Sequence, residues 1–234
     1  MIPKVIHYCW FGGQDLPAKY KKYIESWRKY LPDYEIRRWD ESNFDINSSQ
    51  FTIDAYADKK MALVSDYARL KIMYEHGGVY FDTDVEMIAP IDDLIEKGPF
   101  MGFEKNSNVK KGETLNVAVG LGFAVEPGNP IIKEAVEYYD SISYKDCNTI
   151  VVTITNILKH HGLKRSDIPI TIQGITIYPW DYFCPVEFLS SKIEISDNTR
   201  TIHHYSASWM SWTDKLKMYK GYYASKIRRL LNLG

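Results

Sequence analysis

The stretch Gly77-Gly78-Val79-Tyr80-Phe81-Asp82-Thr83-Asp84-Val85-Glu86 constrains this chain most. Two glycines close a helix, an apolar run follows, and acidic residues end it. Side chains alternate faces along a strand, so Tyr80, Asp82, Asp84 and Glu86 are expected on one face and Val79, Phe81, Thr83 and Val85 on the other. Two carboxylates side by side at the carboxyl end of a strand stand where open α/β sheets hold ligands. Like charges that close repel unless something positive lies between them, and a hard divalent cation held by oxygen suits that place. An EF-hand loop does not fit: the position that requires glycine is Met87, and the twelfth is Asp93.

The helix feeding this strand is read as running from an N-cap at Asp58 to His76, with Gly77 as its stop. Leu63, Tyr67, Leu70 and Tyr74 form its apolar stripe. Ser65, Asp66 and Arg69 share a turn and form a polar patch. That patch is either a solvated ion pair or part of the cleft that holds Asp82 and Asp84.

Upstream, Val5 to Trp10 reads as a buried strand ending in the tight turn Phe11-Gly12-Gly13. His7 within it reads as a packed strand residue rather than a metal ligand. Trp10 is either core or a stacking platform for a base. A helix over Lys19–Tyr30 and a strand over Tyr34–Trp39 complete a βαβ start, with Asp40 to Gln50 a polar loop. Downstream, the patterns predict a helical turn to Lys97, a strand over Phe100–Phe103 and an apolar strand or irregular segment over Asn116–Val125. Helices over Ile131–Tyr139 and Thr149–His160, short strands over Ile168–Tyr178 and an aromatic loop over Pro179–Pro185 follow. In Thr201-Ile202-His203-His204, adjacent histidines on a strand face opposite ways, so one alone can join a metal site; His204 is the one expected.

The chain has 234 residues, which suits one α/β domain. Its net charge of −1 gives no global basis for nucleic-acid binding. Cys9, Cys147 and Cys184 are odd in number and widely spaced, which argues against a disulfide framework or zinc site and for a reducing compartment. With no signal-like start, the cytoplasm is the expected location. From Lys215 the chain is basic and amphipathic without an acid. Residues 215–234 are therefore a tail that either lies on an anionic membrane surface, such as the inner face of the plasma membrane, or packs on its own domain.

These motifs resemble glycosyltransferase family 32, sugar transferases with a DxD motif. The likeness is carried by the opening from Ile2 to Gly13, by Ser26-Trp27 through Trp39-Asp40, and above all by Ser65-Asp66-Tyr67-Ala68-Arg69 through Asp82-Thr83-Asp84. Ile177-Tyr178-Pro179, Tyr182 to Pro185 and His203-His204…Ser208-Trp209 agree. The family includes bacterial surface-polysaccharide transferases and fungal mannosyltransferases, and the glucosylating domains of clostridial toxins are similar.

The resemblance implies a GT-A fold over residues 1–214, a Rossmann-like α/β sandwich with a mixed, mainly parallel sheet. It implies Mn²⁺ or Mg²⁺ and a nucleotide-sugar donor, UDP-sugar favoured over GDP-mannose. The acceptor would be a saccharide or lipid-linked saccharide, in capsular or cell-surface polysaccharide synthesis. By matching position, Trp10 stacks on the base, and Asp66 and Arg69 hold the sugar hydroxyls. Tyr80 lines the donor pocket, Asp82 reaches ribose and metal, and Asp84 binds the metal with His204. Ser208 and Trp209 close over the diphosphate, and His7 and Ser65 join the donor-binding set. The family retains anomeric configuration, which implies front-face attack by the acceptor hydroxyl. Two other readings fit the acidic strand alone: a haloacid-dehalogenase-like phosphatase with Asp82 as nucleophile, and a non-catalytic sugar- or membrane-binding protein.

Overall fold

The computed structural model describes residues 1–105, 115–187 and 192–206, with residues 213, 216, 217 and 220. Strand β1 (Val5–Cys9) leads through helix α1 (Ala18–Tyr30) to β2 (Glu35–Trp39), the expected βαβ start. Helices α2 (Gln50–Ala57) and α3 (Met61–His76) precede β3 (Gly78–Tyr80). Then come β4 (Val85–Met87), α4 (Asp92–Ile95), β5 (Phe100–Gly102) and β6 (Phe123–Val125). Helices α5 (Pro130–Asp140) and α6 (Ile150–His160), strands β7 (Ile170–Ile172) and β8 (Ile175–Tyr178), helix α7 (Trp180–Phe183) and strand β9 (Thr201–His203) complete the described order.

Seven strands form one sheet in the order β2-β1-β3-β6-β5-β8-β7. Strands β1, β2, β3, β5 and β8 point one way and β6 and β7 the other, so the sheet is mixed and mainly parallel, as expected. Alternate residues supply two cores, one on each face. Val79 and Phe100 join Ile24, Trp27 and Leu94 on the α1 side, while Tyr80 and Met101 join Tyr67, Ile132 and Ile154 on the other. The crossover from β1 to β2 lies on one face and that from β2 to β3 on the other. The crevice between the carboxyl ends of β1 and β3 is therefore the switch point where such sheets take ligands.

Helix α3 is buried almost all round, through Val64, Tyr67, Ala68, Leu70, Ile72 and Met73. It does not start at Asp58, which ends α2 instead: the Asp58 N–H bonds back to Asp54 O, and Lys59 adopts φ +56°. The polar loop after β2 is shorter than expected, because Gln50 already begins α2, and the aromatic loop after Pro179 holds the short α7. The glycine pair after α3 behaves as read. Gly77 and Gly78 have φ of +61° and +98°, and a Cβ on Gly78 would meet Val5 O at 2.6 Å. Only glycine lets the chain leave α3 and enter β3 this close to β1.

Candidate active site

Strand β3 stops at Tyr80, so the acidic residues do not continue it. Asp82-Thr83-Asp84 forms a turn closed by Val85 N–H to Asp82 O at 3.0 Å. Beyond the turn the chain enters β4, which pairs with β9 in a separate two-stranded sheet. Glu86 leaves the acidic face for this reason. The common face expected for Tyr80, Asp82, Asp84 and Glu86 holds for the first three through contact rather than alternation.

Arg69 is the hub on the α3 side. Its guanidinium meets Asp66 Oδ1 at 3.1 Å and both Asp82 oxygens, Oδ1 at 3.2 Å and Oδ2 at 3.3 Å. It also lies 5.0 Å over the Tyr80 ring. A fork this geometry suits is what arginine offers a pair of carboxylates. The Asp66–Arg69 pair is not the solvated ion pair considered above; their side chains are 15% and 8% exposed. Burial pushes the Asp66 carboxyl up to about 6, Arg69 pulls it down, and Asp82 adds to the rise. Ser65 contributes its carbonyl, which accepts from Arg69 Nε at 3.4 Å. Tyr80 is buried beneath this group and donates to Asp82 Oδ1 at 3.3 Å, so it supports Asp82 rather than facing the cleft.

Asp84 is held from the chain's far end. His203 Nε2 lies 3.1 Å from Oδ1, the Ser206 N–H donates to Oδ2 at 2.7 Å, and the His204 N–H donates to the Asp84 carbonyl at 3.0 Å. Burial alone would raise Asp84, but the His203 charge and these hydrogen bonds hold it well below the usual carboxylate range. Burial would lower His203, and Asp84 instead raises it above the ordinary value. Ligand atoms of Asp82, Asp84 and His203 lie within 4.8 Å of one another, an oxygen, oxygen and nitrogen set suited to a divalent cation. His203 Nδ1 is buried with no hydrogen-bond partner among the described residues.

This corrects the choice of histidine. The two rings do face opposite ways, but the β4–β9 register pairs Val85 with His203 and turns His203 to Asp84. His204 turns to Glu86, with Nε2 at 2.8 Å from Oε2, and stacks on Tyr23 at 4.5 Å. His7 is corrected too. Its buried ring spends Nε2 on the Gly77 carbonyl at 3.0 Å and accepts from Trp39 Nε1 at Nδ1, 2.9 Å away, so it ties β1 to its neighbours and offers a donor nothing. Trp10 is half-buried, edge-on to Tyr20 at 5.6 Å, with its N–H on the Gln14 carbonyl. Beside it opens a cleft of about 860 Å³ between Phe11–Gln14, Glu41, Tyr56 and Met61, which stops short of the acidic turn. Ser208, Trp209 and all of the tail but residues 216, 217 and 220 lie outside the described residues.

Three contributors were not anticipated. Gly120, in the irregular segment before β6, accepts from the Asp82 N–H at 3.1 Å, and its bare Cα leaves room for the Asp82 carboxylate. Tyr205 donates to Glu104 at 2.9 Å. Glu41 accepts from the Gly12 N–H at 2.6 Å. Glycines within Asn116–Val125 were the only hint of the first.

A buried Arg–Asp pair and an Asp, Asp, His cluster lie at the switch point of a mixed α/β sheet of the GT-A kind. The PaToxG glycosyltransferase structure shares the fold, with a TM-score of 0.50 and 18% identity over 68% of this chain and 69% of that one. Residues 17–101 match the family model described as a glycosyltransferase sugar-binding region containing a DXD motif. An uncharacterized glycosyltransferase, L373, of Acanthamoeba polyphaga mimivirus is 31% identical over 137 residues, 56% of this chain and 53% of that protein. Inositol phosphoceramide mannosyltransferase 1 of Schizosaccharomyces pombe is 25% identical over 151 residues, 62% of this chain and 44% of that protein. The chain thus spans about half the length of these curated relatives.

Proposed function

We propose that this chain is a metal-dependent, retaining glycosyltransferase moving a hexose from a nucleotide-diphosphate sugar to a saccharide or lipid-linked saccharide. One observation carries the reading: two carboxylates and an imidazole converge within 4.8 Å, and one of those carboxylates is gripped by the buried Arg69–Asp66 pair. Asp82, Asp84 and His203 would hold a divalent cation, which when bound offsets negative charge developing on the departing diphosphate. The imidazole makes the set softer than Mg²⁺ prefers, so Mn²⁺ is the first ion to test.

The protein's own groups supply position. Arg69 and Asp66 offer donors and acceptors to sugar hydroxyls from a rigid helix, which is a proximity effect. Asp82, fixed by Arg69, Tyr80 and the Gly120 carbonyl, has little freedom to act as a nucleophile, which weighs against the phosphatase reading. The acceptor hydroxyl attacks the anomeric carbon from the face the diphosphate leaves, and its proton passes to the leaving phosphate oxygen. UDP-sugars remain the favoured donors on family resemblance. The mannosyltransferase name of the fission-yeast relative makes GDP-mannose the second to try and a lipid-linked acceptor reasonable. The role in surface-polysaccharide synthesis and the docking of a tail over residues 215–234 on the inner membrane face belong to the same proposal.

The test is a thermal-shift screen of nucleotide sugars with and without Mn²⁺, since a ligand that binds only the folded state raises its melting temperature. Metal-dependent stabilisation by one donor, lost in Asp84→Ala, is expected. No response to any donor with metal present would overturn the reading.

A further inference from the structure

The segment from His203 to Ser206 reaches Asp84 three times in four residues. The His203 ring, the His204 N–H and the Ser206 N–H all address that one side chain or its carbonyl. Such convergence needs a sharp local bend, and the bend is at Tyr205, whose φ of +46° is the left-handed conformation that a bulky side chain rarely adopts. A strained residue persists only where its surroundings over-determine it.

The surroundings are specific. The Tyr205 hydroxyl donates to Glu104 Oε1 at 2.9 Å and lies 3.0 Å from Cys184 Sγ. Cys184 is itself fixed between the Lys105 N–H and the Val186 carbonyl, both at 3.3 Å. The Tyr205 ring packs edge-on against His203 at 4.2 Å. Glu104 lies two residues past the end of β5, and its backbone N–H donates to the Asn116 carbonyl at 2.7 Å, so the acceptor is anchored beside the central sheet. A carboxylate buried close to Asp84 and His203 is unfavourable unless it is hydrogen-bonded. Burial raises the Glu104 pKa, and the Tyr205 hydrogen bond opposes that rise.

We propose that Tyr205 and Glu104 are positioning residues for the metal: their hydrogen bond sets the bend that holds His203 in line with Asp82 and Asp84. Neither residue touches the cation. Both act through His203, as outer partners of metal ligands do when they fix ligand orientation. The proposal rests on the metal-site reading above, and the controls separate the two.

Mn²⁺ alone is titrated into the purified full chain by isothermal calorimetry, for the wild type, Asp84→Ala, Tyr205→Phe, Glu104→Leu and Glu104→Gln. Asp84→Ala should lose binding. Tyr205→Phe and Glu104→Leu should weaken Mn²⁺ about 10- to 100-fold, the usual cost of removing such a partner. Glu104→Gln keeps an oxygen that accepts from Tyr205 and should stay within about threefold of the wild type, a rescue that general loss of packing does not give. Should Glu104→Leu fail to fold, Tyr205→Phe, which removes one oxygen, carries the test. Tyr205→Phe binding Mn²⁺ like the wild type while Asp84→Ala does not would overturn this proposal alone. Asp84→Ala binding like the wild type would overturn the metal-site reading and this proposal with it.

Discussion

Gly120 and Asp82 are in contact so close that no side chain fits between them. An ideal Cβ on Gly120 would sit 2.2 Å from Asp82 Oδ2 and 3.3 Å from the Arg69 guanidinium. The absence of a side chain at Gly120 is what lets Asp82 reach Arg69.

Gly120→Ala should therefore displace the Asp82 carboxylate while leaving the sheet intact. A shift of about 1 Å in a positioning group costs on the order of 100-fold in rate. Donor turnover measured alongside a far-UV spectrum checks this. A folded Gly120→Ala protein with turnover within about threefold of the wild type would show that the close approach does not matter.

The two adjacent histidines should separate cleanly. His203→Ala removes the imidazole that faces Asp84 and should weaken Mn²⁺ at least about tenfold, whereas His204→Ala removes only the Glu86 partner and the Tyr23 stack. Calorimetric Mn²⁺ titration of both variants decides it. The reverse order would restore the assignment made from sequence.

Arg69→Met should be strongly destabilising as well as inactive. It leaves the part-buried Asp66 and Asp82 carboxylates without their shared counter-charge. Breaking a buried ion pair by removing one partner costs about 3–5 kcal/mol. The urea midpoint at neutral pH measures the loss, and a midpoint unchanged from the wild type would contradict the hub role.

Acid should destabilise the fold through His7. Burial first, then the Arg37 and His76 charges, lower its pKa from 6.5 to about 4. Above pH 6.5 the ring is neutral folded or unfolded, and pH has no effect through it. As pH falls from 6.5 towards 4, the unfolded chain binds a proton that the folded one refuses, so stability declines, then levels off. The full shift corresponds to about 3 kcal/mol. Unfolding free energy measured at pH 7.5 and pH 5 should fall more for the wild type than for His7→Gln. Equal falls would rule out His7 as the cause.

Local chemistry was legible. Asp66 with Arg69 on one helical turn, the glycine pair that ends that helix, and Asp82 with Asp84 two residues apart each express short-range geometry that residue type determines. The βαβ start and the helix over Thr149–His160 followed from periodicity and turn residues in the same way, whereas the mixed sheet was expected from the family resemblance. What escaped depends on distant pairings. Which histidine faces Asp84 is set by the register of a three-residue strand against β4, and a one-residue slip would exchange them. His7 lost its donor role to partners 32 and 70 residues away. The strand ends at Tyr80, not Glu86, because the turn at Asp82 takes its hydrogen bonds locally and from Gly120, which no alternation pattern reveals.

The small β4–β9 sheet joins the acidic turn to a segment made much later. The Ser206–Asp84 bond closes a loop of 122 residues. At about 5–20 residues per second of synthesis, the two aspartates wait roughly 6 to 24 s on a ribosome-bound chain before that partner is made. During that interval the nascent domain can carry its aspartates but not the imidazole that joins them, so on this reading metal loading is a late event. A chain interrupted before β9 would retain α3 with Asp66 and Arg69 yet lack His203, so on the same reading its ligand set would be incomplete.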